Sequence, residues 1–189
     1  MLEIELKASL GGISPQALES ALKKAGFAPG QIKEETDIYY NGNDRDFRKT
    51  DEALRLRSSR VLTGEVQSKT FITYKGSKVD SRSQTRPELE TSVGDLDVMK
   101  KLLGKLGYRE VMTVRKQRAY YHRENITVCL DEVEGLGRFI ELEQVEEDGT
   151  AKKEAVIDRL LDLLSSFGIP QSNLLRESYL ELLMASATS

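Results

Sequence analysis

At 189 residues, with 39% hydrophobic and 31% charged side chains, the chain can bury one good core and sits on the polar side of average for a globular protein. A net charge of −3, from 28 basic and 31 acidic residues, supplies no bulk positive field for nucleic acid. The single cysteine, Cys129, excludes an internal disulfide framework and a multi-cysteine zinc site. With no apolar leader and no run of roughly 20 apolar residues, the expectation is one soluble, cytoplasmic domain spanning 1–189.

The opening Met1-Leu2-Glu3-Ile4-Glu5-Leu6-Lys7 alternates strictly. As a strand it sends Glu3, Glu5 and Lys7 to one face and Leu2, Ile4 and Leu6 to the other. Ser14-Pro15 opens a helix whose stripe is Ala17, Leu18, Ala21, Leu22 and Ala25, with Gly26 suited to its end. A strand follows over 35–40, then a polar turn from Asn41 to Asp46. Strands are predicted over 53–57, 71–75 and 86–90, with a polar loop over 76–85; Pro87 pushes the last strand toward an edge or a bulge. Asp95 caps a second helix carrying Leu96, Met99, Leu102, Leu103 and Leu106, ended by Gly107. Strands over 111–121, 126–131 and 138–143 come next. A third helix begins at Thr150 and is stopped by Gly168 and Pro170; a last one runs from Ser172 to Met184, and 185–189 is expected to fray. The spacing from Gly26-Phe27 to Tyr39-Tyr40 recurs from Gly107-Tyr108 to Tyr120-Tyr121, with helix stripes in register upstream. Two helix-then-strand halves suggest a pseudo-twofold sheet that could close into a barrel.

The polar positions that share a strand face are Glu3, Glu5 and Lys7; Arg55 and Arg57; Thr73 and Lys75; Arg86, Glu88 and Glu90; Lys116 and Arg118; Asp131; Glu141 and Glu143. The opposite faces are rich in leucine and isoleucine, and amphipathic helices need such a surface to cover. That places the leucines outside, under helices, and the charges within a barrel. Burying ions costs several kcal/mol each unless they pair, stay hydrated or bind a matching charge. The like-charged pairs Glu3/Glu5, Glu141/Glu143, Arg55/Arg57 and Lys116/Arg118 repel unless something opposite lies between them. Paired carboxylates with Asp131 make a hard-oxygen site for Mg²⁺ or Mn²⁺, and paired Arg and Lys make a polyanion clamp. The combination describes a cavity for a metal-bound polyphosphate; the bland alternative is ion pairs across a solvated sheet.

Other signals are weaker. Gly76-Ser77-Lys78 lacks P-loop spacing, and Gly135-Leu136-Gly137 lacks the third glycine of a dinucleotide fingerprint, so both read as turns. His122 reads as a surface or strand-end residue, Cys129 as facing the cavity without being a nucleophile, and Lys152-Lys153 as a solvated helix start.

Taken together, Glu3-Ile4-Glu5-Leu6-Lys7, Asp37-Ile38-Tyr39-Tyr40, Leu54-Arg55-Leu56-Arg57, Tyr74-Lys75-Gly76, Lys116-Gln117-Arg118, the run from Leu130 to Glu143 and Ser178-Tyr179-Leu180-Glu181-Leu182-Leu183 resemble the CYTH family, the triphosphate tunnel metalloenzymes. The Asp-Ile-Tyr-Tyr and Leu-Arg-Leu-Arg segments look most like its class IV, CyaB-type adenylyl cyclase branch. The resemblance implies an α+β fold: an eight-stranded antiparallel barrel with a charged interior and helices packed outside. It implies Glu3, Glu5, Asp131, Glu141 and Glu143 around one or two divalent metals, Mg²⁺ or Mn²⁺. It implies Arg55, Arg57, Lys75, Lys116 and Arg118 on the phosphates, with Lys7 beside them, and Arg86 less securely because of the adjoining proline. The cyclase branch is often homodimeric.

Two reactions suit this apparatus: cyclisation of ATP by its 3′-hydroxyl with loss of pyrophosphate, and hydrolysis of the terminal phosphate of inorganic or thiamine triphosphate by water. Lys7 and Asp131 are the candidate catalytic residues, Lys7 being able to assist a nucleophile if its pKa is depressed. A nucleotide- or polyphosphate-binding module without turnover is the non-enzymatic alternative. No nucleic acid or membrane partner is expected.

Overall fold

The alternating charges of the sequence resolve into a closed antiparallel barrel in the computed structural model, which describes residues 2–146 and 153–187. In chain order the elements are β1 (Leu2–Ser9), α1 (Pro15–Lys24), β2 (Ala28–Asn41), β3 (Ala53–Val61), β4 (Ser68–Lys75), β5 (Arg86–Val93), α2 (Leu96–Lys105), β6 (Arg109–Arg123), β7 (Ile126–Val133), β8 (Gly137–Glu146), α3 (Lys153–Ser166), β9 (Leu174–Leu175) and α4 (Tyr179–Ser186). Neighbouring strands run in the order β5-β4-β3-β2-β6-β7-β8-β1, and β1 meets β5 to close the ring. The expected start of α3 at Thr150, and Lys152, lie outside the described residues.

The weak internal repeat corresponds to a real symmetry of connection. A first half, β1-α1-β2-β3-β4, and a second, β5-α2-β6-β7-β8, swap places around the ring without changing its order. The halves meet where β2 pairs with β6, and there Glu35 lies opposite Lys116, the residue 81 positions on, as Gly107 is from Gly26. Gly26 (φ +82°) and Gly107 (φ +90°) follow α1 and α2 in the left-handed backbone that lets each helix turn back into its long strand.

Helices cover the leucine faces as the pattern demands. Leu18 and Leu22 of α1 join Val156, Ile157, Leu160 and Leu164 of α3 over Ile4, Leu6, Val128, Ile140 and Leu142. Leu103 of α2, with Leu96 and Met99, covers Ile38, Leu54 and Leu56 on the other half. Ser14 and Asp95 cap these helices, their side chains accepting from the backbone of Ala17 and Val98. Leu89 breaks the expectation: on β5 it alternates with Glu88 and Glu90, yet no helix among the described residues buries it and it is 69% exposed.

The end of the chain also departs from the predicted helix over 172–184. Gln171–Asn173 form one 3₁₀ turn, Leu174 and Leu175 pair with Ala8 and Lys7, and α4 begins only at Tyr179. Its start is fixed by a capping box between Ser178 and Glu181. The helix then runs on to Ser186, into the stretch expected to fray; residues 188–189 are outside the described set. The physical reason is an otherwise bare strand edge. β1 pairs with β5 only at Leu2 and Glu3, so Gln84 donates its backbone N–H to Glu5, and β9 takes the edge at Lys7 and Ala8. Pro87 sits at this short seam, where a missing donor is tolerated.

Candidate active site

The charged strand residues expected in the lumen are buried there or line one cavity of about 640 Å³. Within it they sort by what each one touches.

Glu3 and Glu5 of β1 and Glu143 of β8 form one group, with a carboxylate oxygen of each within 4.8 Å of the others. Glu5 lies directly opposite Glu143 across the β1–β8 ladder, a like-charge pairing that is unfavourable by itself. Burial raises all three carboxyls; the neighbouring Glu141 adds to the effect at Glu5, and Glu143 is pushed up to about 8 against the pull of Arg118. Glu5 Oε1 is buried without a hydrogen bond, although Lys7 stands 3.5 Å away. Three crowded hard-oxygen donors, one of them with unused capacity, fit a divalent cation.

Glu141 and Asp131 are not brought into this group. Arg118 forks Asp131 at 2.7 and 2.6 Å, contacts Glu141 and reaches Glu143 at 3.2 Å. Tyr179 donates its hydroxyl to the same Asp131 at 2.7 Å. Burial opposes the charge of Glu141, yet Arg118 and Lys7 outweigh it and hold that carboxyl well below the usual range. Lys7 lies 3.0 Å from Glu141 and 4.1 Å from the centre of the Tyr179 ring. Burial works against its ammonium as well, but Glu141 and Glu5 win and raise its pKa. Lys7 therefore holds its proton; the depressed pKa that would make it a base is not what its surroundings produce.

The opposite wall contains two residues that the sequence reading passed over. Arg57 forks Asp37 at 2.6 and 2.7 Å and reaches Glu35 at 3.2 Å, while Lys116 stands 3.3 Å from both acids. Tyr120 donates to Glu35 at 3.0 Å. Burial is again the largest influence, but Arg57 and Lys116 overcome it, bringing Glu35 down to about 2 and Asp37 well below its ordinary value. The available signal was the alternation Glu35-x-Asp37 in a strand, matched 81 residues on by Lys116-x-Arg118. Gln84, read as part of a polar loop, also lines the cavity, and Tyr179 arrives there from α4.

Two cations are less fully engaged. Arg55 donates to Thr73 at 3.1 Å and to Glu90 at 3.4 Å and lies 3.8 Å from Asp37, but its Nε is buried without a partner. Arg86, opposite Glu3 at the β1–β5 seam, is buried and forms no ion pair with the described residues. Lys75 contacts Glu88 beside them. Cys129 faces the lumen with Sγ 3.8 Å from Glu143, and burial pushes its thiol well up, so it is inert as a nucleophile. His122 stacks on Tyr120 and bonds Thr127 at the strand end, away from any carboxylate cluster.

A model of the CYTH domain matches residues 1–179. The chain belongs to the CYTH family. Within that family it is 41% identical to MJ0240 of Methanocaldococcus jannaschii, provisionally named an adenylate cyclase, over 96% of this chain and 98% of that one. It is 32% identical to the adenylate cyclase CyaB of Aeromonas hydrophila over 101 residues, about half of each chain. The solved structure of PH1819 from Pyrococcus horikoshii OT3 superposes with a TM-score of 0.86 at 37% identity, covering 97% of this CYTH chain and 99% of that one. The barrel and its buried charges are thus those of the CYTH fold. No helix among the described residues is long and apolar enough to cross a membrane.

Proposed function

We propose that the protein is a divalent-metal-dependent adenylyl cyclase that converts ATP to cyclic AMP and pyrophosphate. The observation that carries this reading is the meeting, in one cavity, of the carboxylates Glu3, Glu5 and Glu143 with Arg55, whose Nε has no partner, Lys75, and Arg86, which is in no ion pair with the described residues. The names of MJ0240 and CyaB support cyclisation as the reaction.

In this reading Glu3, Glu5 and Glu143 hold Mg²⁺ or Mn²⁺, which when bound supplies Lewis-acid activation of the ribose 3′-hydroxyl and the α-phosphate. Asp131 and Glu141 shape the site by orienting Arg118 and Lys7. Arg55, Lys75 and Arg86 take the phosphate oxygens first, since Arg55 and Arg86 have donors to spare. Arg57, Lys116 and Arg118 complete the clamp, and Arg118 spans from the carboxylate group to Asp131. Lys7 remains an ammonium and offsets negative charge that builds on the phosphates; this chemistry is positioning and charge stabilisation.

The test is to incubate the purified protein with ATP and Mg²⁺ or Mn²⁺ and resolve the products. Cyclic AMP with pyrophosphate in equal amounts is expected. Orthophosphate from ATP, inorganic triphosphate or thiamine triphosphate would replace the cyclase reading with hydrolysis, and no turnover of any of the three would leave a binding module.

A further inference from the structure

The lumen cations differ in which acids engage them, and on the wall opposite the carboxylate group two of them share one pair of acids. Arg57 donates Nε and Nη2 to Asp37 and sets Nη1 3.2 Å from Glu35, so its charge is already matched by two acids. Lys116 is shared between the same two acids. Neither Glu35 nor Asp37 belongs to the group formed by Glu3, Glu5 and Glu143, and β2, which carries both, is not a neighbour of β1 or β8 in the ring. A carboxylate that forks an arginine uses the donors that two phosphate oxygens would use.

We infer that Glu35 and Asp37 are internal counter-anions, occupying Arg57 and Lys116 in the free protein and giving them up to the phosphate chain when a polyphosphate enters. The inference rests on the reading of the cavity as a triphosphate site. Without such acids, two cations would be left in a closed lumen whenever the ligand departs, and an unpaired buried charge is strongly destabilising. With them, the cations pass from carboxylate to phosphate and back. They lower affinity for any phosphate chain and so favour departure of a diphosphate product. Removing the negative charge of either acid should tighten binding, the reverse of what loss of a metal ligand or of a clamp residue would do.

The experiment compares wild type with Asp37→Asn and Glu35→Gln by titration calorimetry with pyrophosphate and inorganic triphosphate, in Mg²⁺. Both replacements keep a side-chain oxygen for Arg57, and Glu35→Gln also keeps the acceptor for Tyr120. Pyrophosphate should bind about tenfold more tightly to the variants, a change of roughly 1.4 kcal/mol. Its addition should also raise their melting temperature more than that of wild type, because a ligand that binds only the folded state stabilises in proportion to its affinity. If Asp37→Asn fails to fold, Glu35→Gln alone decides. Equal or weaker binding by the folded variants, with wild type binding normally, overturns the counter-anion role and leaves the functional reading standing. Wild type that binds neither anion overturns the functional reading and this inference with it.

Discussion

Arg118→Met offers the sharpest test of the buried charge arrangement. The replacement removes one cation from among Asp131, Glu141 and Glu143 while keeping much of the volume of its stem. Three carboxylates then share a low-dielectric lumen with Lys7 as the remaining close cation for Glu141. Breaking a buried pair by deleting one partner costs roughly 3–5 kcal/mol. For a chain of this length each kcal/mol moves the midpoint by about 2–4 °C, so a fall of roughly 6–20 °C is expected by differential scanning fluorimetry. The loss should depend on pH. A carboxyl held below its ordinary value, as Arg118 holds Glu141, stabilises the fold above that ordinary value and ceases to as pH falls through the depressed one. The gap between wild type and variant should therefore be full at pH 7 and narrow only once the pH falls below the ordinary value of 4.5. Adding Asp131→Asn to Arg118→Met should restore part of the loss, since the pair is coupled. A midpoint shift at pH 7 below about 2 °C, or one that does not shrink as the pH falls below 4.5, would refute the ionic lumen.

Other expectations concern the ligand. Because burial raises the carboxyls of Glu3, Glu5 and Glu143, the last to about 8, a cation entering there competes with a proton on Glu143; the melting-temperature increase from Mg²⁺ or Mn²⁺ should be larger at pH 8.5 than at pH 6.5, and a shift independent of pH argues against Glu143 as a ligand. Glu5→Gln should abolish turnover of ATP without lowering the melting temperature, since it relieves a like-charge contact; a measurable wild-type rate removes Glu5 from the metal site. Arg86→Met should weaken inorganic triphosphate binding at least tenfold yet leave stability nearly unchanged, because no described acid loses its partner, whereas Arg57→Met should lower both. Equal destabilisation by the two replacements would contradict the difference in their pairing.

Much of this was legible in the sequence, because strand alternation is a strong local signal. Glu-x-Glu-x-Lys at 3–7 and Glu-x-Glu at 141–143 placed their side chains on one face, and the leucines between them placed the helices on the other. What alternation does not carry is which strand lies across from which. Glu35 and Asp37 read as ordinary polar positions until β2 is set between β3 and β6, where Arg57 and Lys116 meet them. Nor does alternation say which acids are already engaged: Asp131 and Glu141 have the chemistry of ligands, and Arg118 contacts both. The last helix was misread because Leu175, Tyr179 and Leu182 have helical spacing, while the decisive fact, the open edge of β1 at Lys7 and Ala8, belongs to residues far away in the chain.

The near-symmetry of the ring has a consequence for how such a chain can be divided. Along the central seam the first half presents Glu35 and Asp37 where the second presents Lys116 and Arg118, so the backbone repeats while the sign of the charge reverses. Two copies of the amino-terminal half, joined in the same register, would set Glu35 against Glu35 at the middle of the seam. Two copies of the other half would set Lys116 against Lys116 there. At that central position opposite charges meet only between unlike halves, which makes each half the electrostatic counterpart of the other.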